Sequence, residues 1–169
     1  MVVWIVGMYA AGKTTVGDAL YHTLKKESRN VVFINGGDIR SIMGHDLGHS
    51  MEERLVNAGR SSRLCKYLND EDIHVICAFQ SLFHSTQEWN RANISDYFEV
   101  FLDVSFDTLL KRDHKNLYRR ALSGSLSNVV GVDLEFVPPQ NPDLVLDNNE
   151  DLEDVTALVE MIRSRLSFS

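Results

Sequence analysis

Directly after an apolar run at residues 2–6, the chain reads "GMYAAGKTT", which fits G-x-x-x-x-G-K-[ST] at Gly7, Gly12, Lys13 and Thr14. Residue types in this order bind phosphate. Glycines let successive backbone N–H groups turn inward, and the N-terminus of a following helix adds partial positive charge. The lysine reaches the outer phosphates, and the hydroxyl beside it holds Mg2+. Gly7, Ala10, Ala11, Gly12, Lys13, Thr14 and Thr15 are therefore the expected ATP contacts, with Thr14 a metal ligand. A second chemical stretch, "GHDLGHS" at residues 44–50, sets His45 and His49 four apart around an aspartate. That spacing suits a transition metal or a polar pocket, and alone it leaves both open.

The elements that must hold these groups follow from the apolar pattern. Runs at 2–6, 31–34, 73–78, 98–102 and 144–146 are short and nearly continuous, as expected of parallel strands covered on both faces. Between them lie helical stripes. Val16, Leu20 and Leu24 form one; Leu55, Ala58, Ser62, Cys65 and Leu68 a second; Leu152, Val155, Leu158, Val159, Ile162 and Leu166 a third. Residues 112–131 break this periodicity with basic, polar and glycine residues and read as a mobile, cationic lid. The expected fold is α/β, a doubly wound parallel five-stranded sheet with helices on both faces, in one phosphate-loop domain over residues 1–169.

Charge and composition narrow the function. A net charge of −7 argues against a nucleic-acid polymer as partner. Eight carboxylates and no Lys or Arg fall in residues 133–154, so the rest of the chain is close to neutral and can still build an anion site. No apolar stretch approaches the ~18 residues of a membrane span, and the first strand-like run begins just after Met1, so a soluble, cytoplasmic protein without a membrane partner is expected. Cys65 and Cys77 lie in apolar runs and read as buried thiols. No N-K-x-D or D-x-x-G of a GTPase is present, and the run at 73–79 lacks the acidic end of an ATPase motor strand. A small-molecule kinase is what remains.

"RDHKNLYRRA" (112–121) resembles the R-D-x-K-G-L-Y motif of adenylylsulfate (APS) kinases, and the likeness extends through "DLGHS" (46–50), "ERLVN" (53–57), "FEVFLD" (98–103) and "GVDLEFVPPQNPDLVLD" (131–147). The resemblance implies ATP and Mg2+ as cofactors and γ-phosphoryl transfer to the ribose 3′-hydroxyl of a 5′-activated nucleotide, with APS the default acceptor. It implies Arg112 near the ATP base, Lys115 facing the acceptor, and Arg40, Arg54, Asn57 and Ser81 around the acceptor, in a chain expected to form a homodimer. Lys13, Asp38, Arg112 and Lys115 are the expected catalytic set.

Several positions depart from the family pattern. Its D-G-D-N-x-R is here "NGGDIR" (35–40), so Gly37 occupies the place of the acid. Asp38, on a Gly-Gly turn, is expected to reach the metal or the acceptor hydroxyl, with a helix-cap role as the alternative. The two phenylalanines that clamp adenine are His49 and Val129, and Gln80 enters where it could read a base edge. His45 and His49 are thus expected to line a nucleotide pocket rather than a metal. A relative acting on another activated nucleotide, such as cytidine diphosphoramidate, is the alternative reading, and a non-catalytic ATP-binding module a further one.

Overall fold

The structure, a computed structural model, describes residues 1–27, 29–150 and 154–166. Five strands form one sheet: β1 (Val2–Val6), β2 (Val31–Asn35), β3 (His74–Phe79), β4 (Tyr97–Asp103) and β5 (Leu144–Asp147), in the order β2-β3-β1-β4-β5. All pairings are parallel. Every residue of β1 is buried, because strand alternation sends Val3 and Ile5 to one face and Val2, Trp4 and Val6 to the other. Both faces are covered, so each strand reads as an unbroken apolar run. The central strand ends where the chain order of the sheet reverses, which opens a crevice beyond the carboxyl ends of the strands.

Helix α1 (Lys13–Glu27) starts in the glycine-rich loop and buries Val16, Leu20 and Leu24 on the first face. α7 (Thr156–Arg163) covers that face too, through Leu158, Val159 and Ile162. Val155 and Leu166 pack against the same core, while Leu152 of the expected stripe lies outside the described residues. The opposite face is covered by α3 (Met51–Asp70) and α4 (His84–Asn93). Cys65 and Cys77 are buried and free there.

α3 buries Ala58, Ser62 and Cys65 of the expected stripe and packs Leu68 against the same core, with Leu55 the exception. Leu55 is 45% exposed, and the buried face carries Asn57, Ala58, Ser61, Ser62, Cys65 and Asn69. Small and polar side chains let this helix lie close to the sheet and turn Asn57 toward the crevice.

Four short helices carry no apolar stripe: α2 (Gly36–Ile42), α4, α5 (Phe106–Lys111) and α6 (Leu117–Leu122). Side-chain caps define some of them. Asn35 accepts from the N–H groups of Gly37 and Asp38, and Asp38 Oδ2 accepts the Asn35 N–H at 2.9 Å, a closed capping box. Within the lid, Asn116 takes a left-handed turn at φ 52°, where the family motif has glycine. The Asp113 carboxylate then accepts from Leu117 N at 2.7 Å and Arg119 N at 3.1 Å, which starts α6. Tyr118 is fully buried. The lid is thus a pinned helical turn over its first half rather than the aperiodic flap expected. No helix among the described residues is long and apolar enough to cross a membrane.

Gly17 shows how closely α1 is held. A Cβ there would stand 2.5 Å from Phe33 Cε2 on β2. Gly17→Ala gains about 1 kcal/mol of helix propensity but overpacks the contact by ~1–3 kcal/mol. We expect a net loss of about 1 kcal/mol or more, measured as a lower midpoint in urea at unchanged slope; a stabilised variant would contradict this packing.

Candidate active site

Two cavities open on the crevice. The first, about 500 Å³, is lined by Tyr9, Ala10, Gly12, Lys13, Thr14, Thr15, Arg112, His114, Asn148 and Val155. Here the glycine-rich loop makes its bend. Ala10 sits in the left-handed region at φ 65° and Gly12 at φ 92°. A Cβ on Gly12 would stand 2.7 Å from Asn148 Nδ2, so glycine is required for space as well as for torsion. Asn148 braces the loop from β5 by donating to the Ala11 carbonyl at 2.9 Å.

Lys13 Nζ donates to the Met8 carbonyl at 2.6 Å. Burial pushes its ammonium down to about 8. Arg112 lies across the cavity, donating to the carbonyls of Asn148 at 2.7 Å and of Glu150. Thr14 lines the cavity at the first turn of α1, so its hydroxyl is placed to hold a cation. Among the described residues no group of three or more His, Cys, Asp or Glu side chains gathers to hold a metal. One hydroxyl with phosphate oxygens and water fits Mg2+, which keeps much of its hydration and leans on its substrate's phosphates.

The second cavity, about 360 Å³, is lined by Tyr9, Gly36, Gly37, Arg40, His49, Arg54, Asn57, Phe79, Gln80, Leu82, Phe83 and Lys115. Arg54 is its clasp. From α3 it donates to the His49 carbonyl at 2.8 Å, to Gln80 Oε1 at 3.2 Å and to the Asn128 carbonyl at 2.8 Å, joining three segments around one guanidinium. Arg40 donates to the carbonyls of Leu47 and Gly48 at 3.0 and 2.6 Å. Burial, with Arg40 next, lowers the Arg54 pKa. Burial, then Arg40 and Arg54, lowers that of His49 and favours a neutral imidazole. The two guanidiniums repel each other in this cavity, and neither forms a close ion pair among the described residues, although Asp133 acts on Arg54 at longer range. The Asn57 Oδ1 is buried without a partner and belongs to the same lining.

Residues 1–147 match the sequence profile of the adenylylsulphate kinase family. The chain belongs to the adenylylsulfate kinase family. It is 35% identical over 166 residues to cytidine diphosphoramidate kinase of Campylobacter jejuni, covering 98% of this chain and 96% of that one. To adenylyl-sulfate kinase of Halothermothrix orenii it is 32% identical over 165 residues, covering 96% and 89%. Its fold superposes with a TM-score of 0.87, at 26% identity and over 96% and 95% of the two chains, on the APS kinase of Mycobacterium tuberculosis solved with AMPPNP and APS. These relatives are kinases, and this family member is a phosphotransferase.

The structure brings most of the sequence candidates together, split between the two cavities. Ala10, Gly12, Lys13, Thr14, Thr15 and Arg112 line the first; Arg40, His49, Arg54, Asn57, Gln80 and Lys115 line the second. Others lie elsewhere. Gly7 and Ala11 belong to the loop but are buried and line neither cavity, Ala11 being packed in the core. Ser81 is fully buried and pairs with Gln87 Nε2 at 3.1 Å. Val129 is not a face of the acceptor cavity but a core residue, because the Asp133 carboxylate draws its N–H into a turn at 2.6 Å. His45 is exposed and lines neither cavity. Asp38 lines neither cavity, and one of its oxygens is committed to the cap of α2.

Sequence reasoning missed His114, Asn148, Phe79, Leu82 and Phe83. Asn148 could have been found from its place just past the last strand, at the edge where such sheets bind ligands.

The lowered Lys13 pKa has a measurable consequence. Free Lys13 is largely neutral at about pH 9, and an engaged triphosphate restores its charge, whereas at about pH 7 it is already charged. Binding a MgATP analogue should therefore take up close to one proton at the higher pH and little at the lower. Calorimetry in buffers of different ionisation heat reads this directly; equal proton counts would contradict the buried ammonium.

Proposed function

We propose that this chain transfers the γ-phosphoryl group of MgATP to a ribose hydroxyl, the 3′ one, of a nucleotide with an anionic 5′ substituent, and that this acceptor is of the cytidine diphosphoramidate kind. The paired cavities carry the proposal: a phosphate-loop cavity with Lys13, Thr14 and Arg112 beside one with Arg40, Arg54 and Lys115. Planar guanidiniums suit bidentate phosphate contacts, and a lysine on a lid acts as a movable point charge. Lys13 stabilises charge spreading onto the transferring group, which is where most of the catalysis of such reactions lies. Mg2+, when bound, would neutralise charge on the outer phosphates from the Thr14 hydroxyl.

The base end supports a pyrimidine over adenine. Arginine only donates, so the 3.2 Å bond from Arg54 fixes which end of the Gln80 amide is oxygen and uses it. The amide N–H2 is left to face a base. Cytosine presents O2 and N3 to it as adjacent acceptors. With Val129 in the core and His49 in place of a phenylalanine, the family's two stacking positions are changed, and the rings left to line the cavity are Tyr9, His49, Phe79 and Phe83; each stacked ring is worth ~1–3 kcal/mol. APS is the other acceptor the family likeness supports, and turnover with each acceptor separates the two.

ADP release with ATP plus cytidine diphosphoramidate should exceed that with APS by about tenfold or more in kcat/KM. Gln80→Ala should reduce the first by about tenfold through one lost charge-linked contact, leaving the KM for ATP unchanged. Faster turnover of APS would overturn the acceptor assignment, and no ADP release with either would overturn the kinase reaction itself.

We assign Asp38 to the cap rather than to the reacting hydroxyl. Asp38→Asn should then keep turnover within about threefold, since phosphoryl transfer rests on positioning and charge more than on a base. A fall of about a hundredfold in a variant of unchanged melting temperature would restore the catalytic role.

A further inference from the structure

The phosphoryl group must pass from the first cavity to the second, and among the described residues their linings share one member, Tyr9. This tyrosine is the third residue of the phosphate loop. Its side chain is held from several directions. The phenolic oxygen accepts the backbone N–H of Lys115 at 3.3 Å. Its carbonyl accepts the Tyr118 hydroxyl at 2.8 Å, and the two rings meet edge to face at 5.6 Å. Tyr118 is itself fully buried and braced edge-on by Phe106 at 5.1 Å. The phenol is therefore positioned before any ligand arrives, and little ordering cost remains to be met on binding.

A phenolic hydroxyl has one proton to donate and lone pairs to accept with. The Lys115 N–H uses a lone pair, while the O–H proton has no acceptor among the described residues. Around the crossing the acid expected of the family is missing, since Gly37 has no side chain and the Asp38 oxygen is turned to Asn35. Lys13 lines the first cavity and Lys115 the second, and the phenol lines both.

We propose that the Tyr9 O–H donates to a non-bridging oxygen of the ATP γ-phosphoryl group and follows that group as it crosses. The contact rests on the two-cavity transfer proposed above. During transfer the bond from the γ-phosphorus to the β–γ bridging oxygen breaks and one from phosphorus to the acceptor oxygen forms. The acceptor's hydroxyl proton leaves to water, and Tyr9 keeps its own. Through the accepted Lys115 N–H, the phenol also ties the filled donor site to the lid.

Tyr9→Phe removes the oxygen and keeps the ring. Affinities for MgADP and for a non-hydrolysable MgATP analogue, measured by calorimetry on wild type and variant, isolate the γ-phosphate contact. The variant should lose about tenfold in affinity for the triphosphate and less than about twofold for the diphosphate, with an unchanged melting temperature. A variant that binds the triphosphate as tightly as wild type, or that loses both nucleotides equally, overturns the proposal. Wild type that discriminates the nucleotides as expected yet releases no acceptor-dependent ADP defeats the transfer reading alone, and leaves the Tyr9 contact standing.

Discussion

An ammonium held against a carbonyl inside a tight loop, at the end of a fully buried strand, sets the terms for this molecule. Lys13 can take that position only because β1 is rigid and covered on both faces, and because the chain turns back at once through Gly12 into α1. Desolvation of the amine is unfavourable, which is why its pKa falls. At about pH 7 the amine is still charged but poorly solvated, so an anion placed beside it, as the proposed function requires, would relieve that penalty. The surrounding elements can be understood as what keeps the loop in this state. Asn148 closes it from β5, Gly17 lets α1 lie flush on Phe33, and Tyr118 ties the lid to the Tyr9 carbonyl.

The acceptor side is built differently. No element there resembles a preformed nest; the cavity is assembled from side chains that reach across. Arg54 alone joins α3, the 47–50 turn, the end of β3 and the end of the lid. In the proposed function such a clasp would make the anion site and the base site one unit, because the guanidinium that would attract the 5′ charge also orients the Gln80 amide. A change of acceptor within the family thus needs few substitutions, provided the arginine stays and the residues it orients change.

What could be read beforehand follows from where information sits in a chain. Strands buried on both faces announce themselves as apolar runs, and the glycine-rich loop is written in contiguous residues, so the sheet and the donor cavity were legible. Arg40, Arg54 and Asn57 were legible only through the family likeness, since nothing in their spacing marks them. The short helices α2 and α6 were not, because Asn35 with Asp38, and Asp113 with Asn116, define their starts by hydrogen bonds rather than by periodicity. Val129 failed for a related reason. It aligns with a stacking residue, yet the Asp133 carboxylate binds the N–H groups of Asn128 and Val129 and turns that segment so that the side chain enters the core.

Asp38 is the position where local and chemical demands compete most directly. A capping box satisfies helix N–H groups that would otherwise lack partners, an advantage of about 1 kcal/mol. A carboxylate drawn out of the cap toward a metal or a hydroxyl gives that up and must recover it at the transition state alone. Phosphoryl transfer tolerates the loss of a base better than most reactions, since its transition state carries charge on the phosphoryl oxygens rather than on the attacking hydroxyl. With glycine at 37 and a carboxylate already paired at 38, the proposed reaction would place its catalytic charge on Lys13 and Lys115 and take the remaining polar contact from the loop itself.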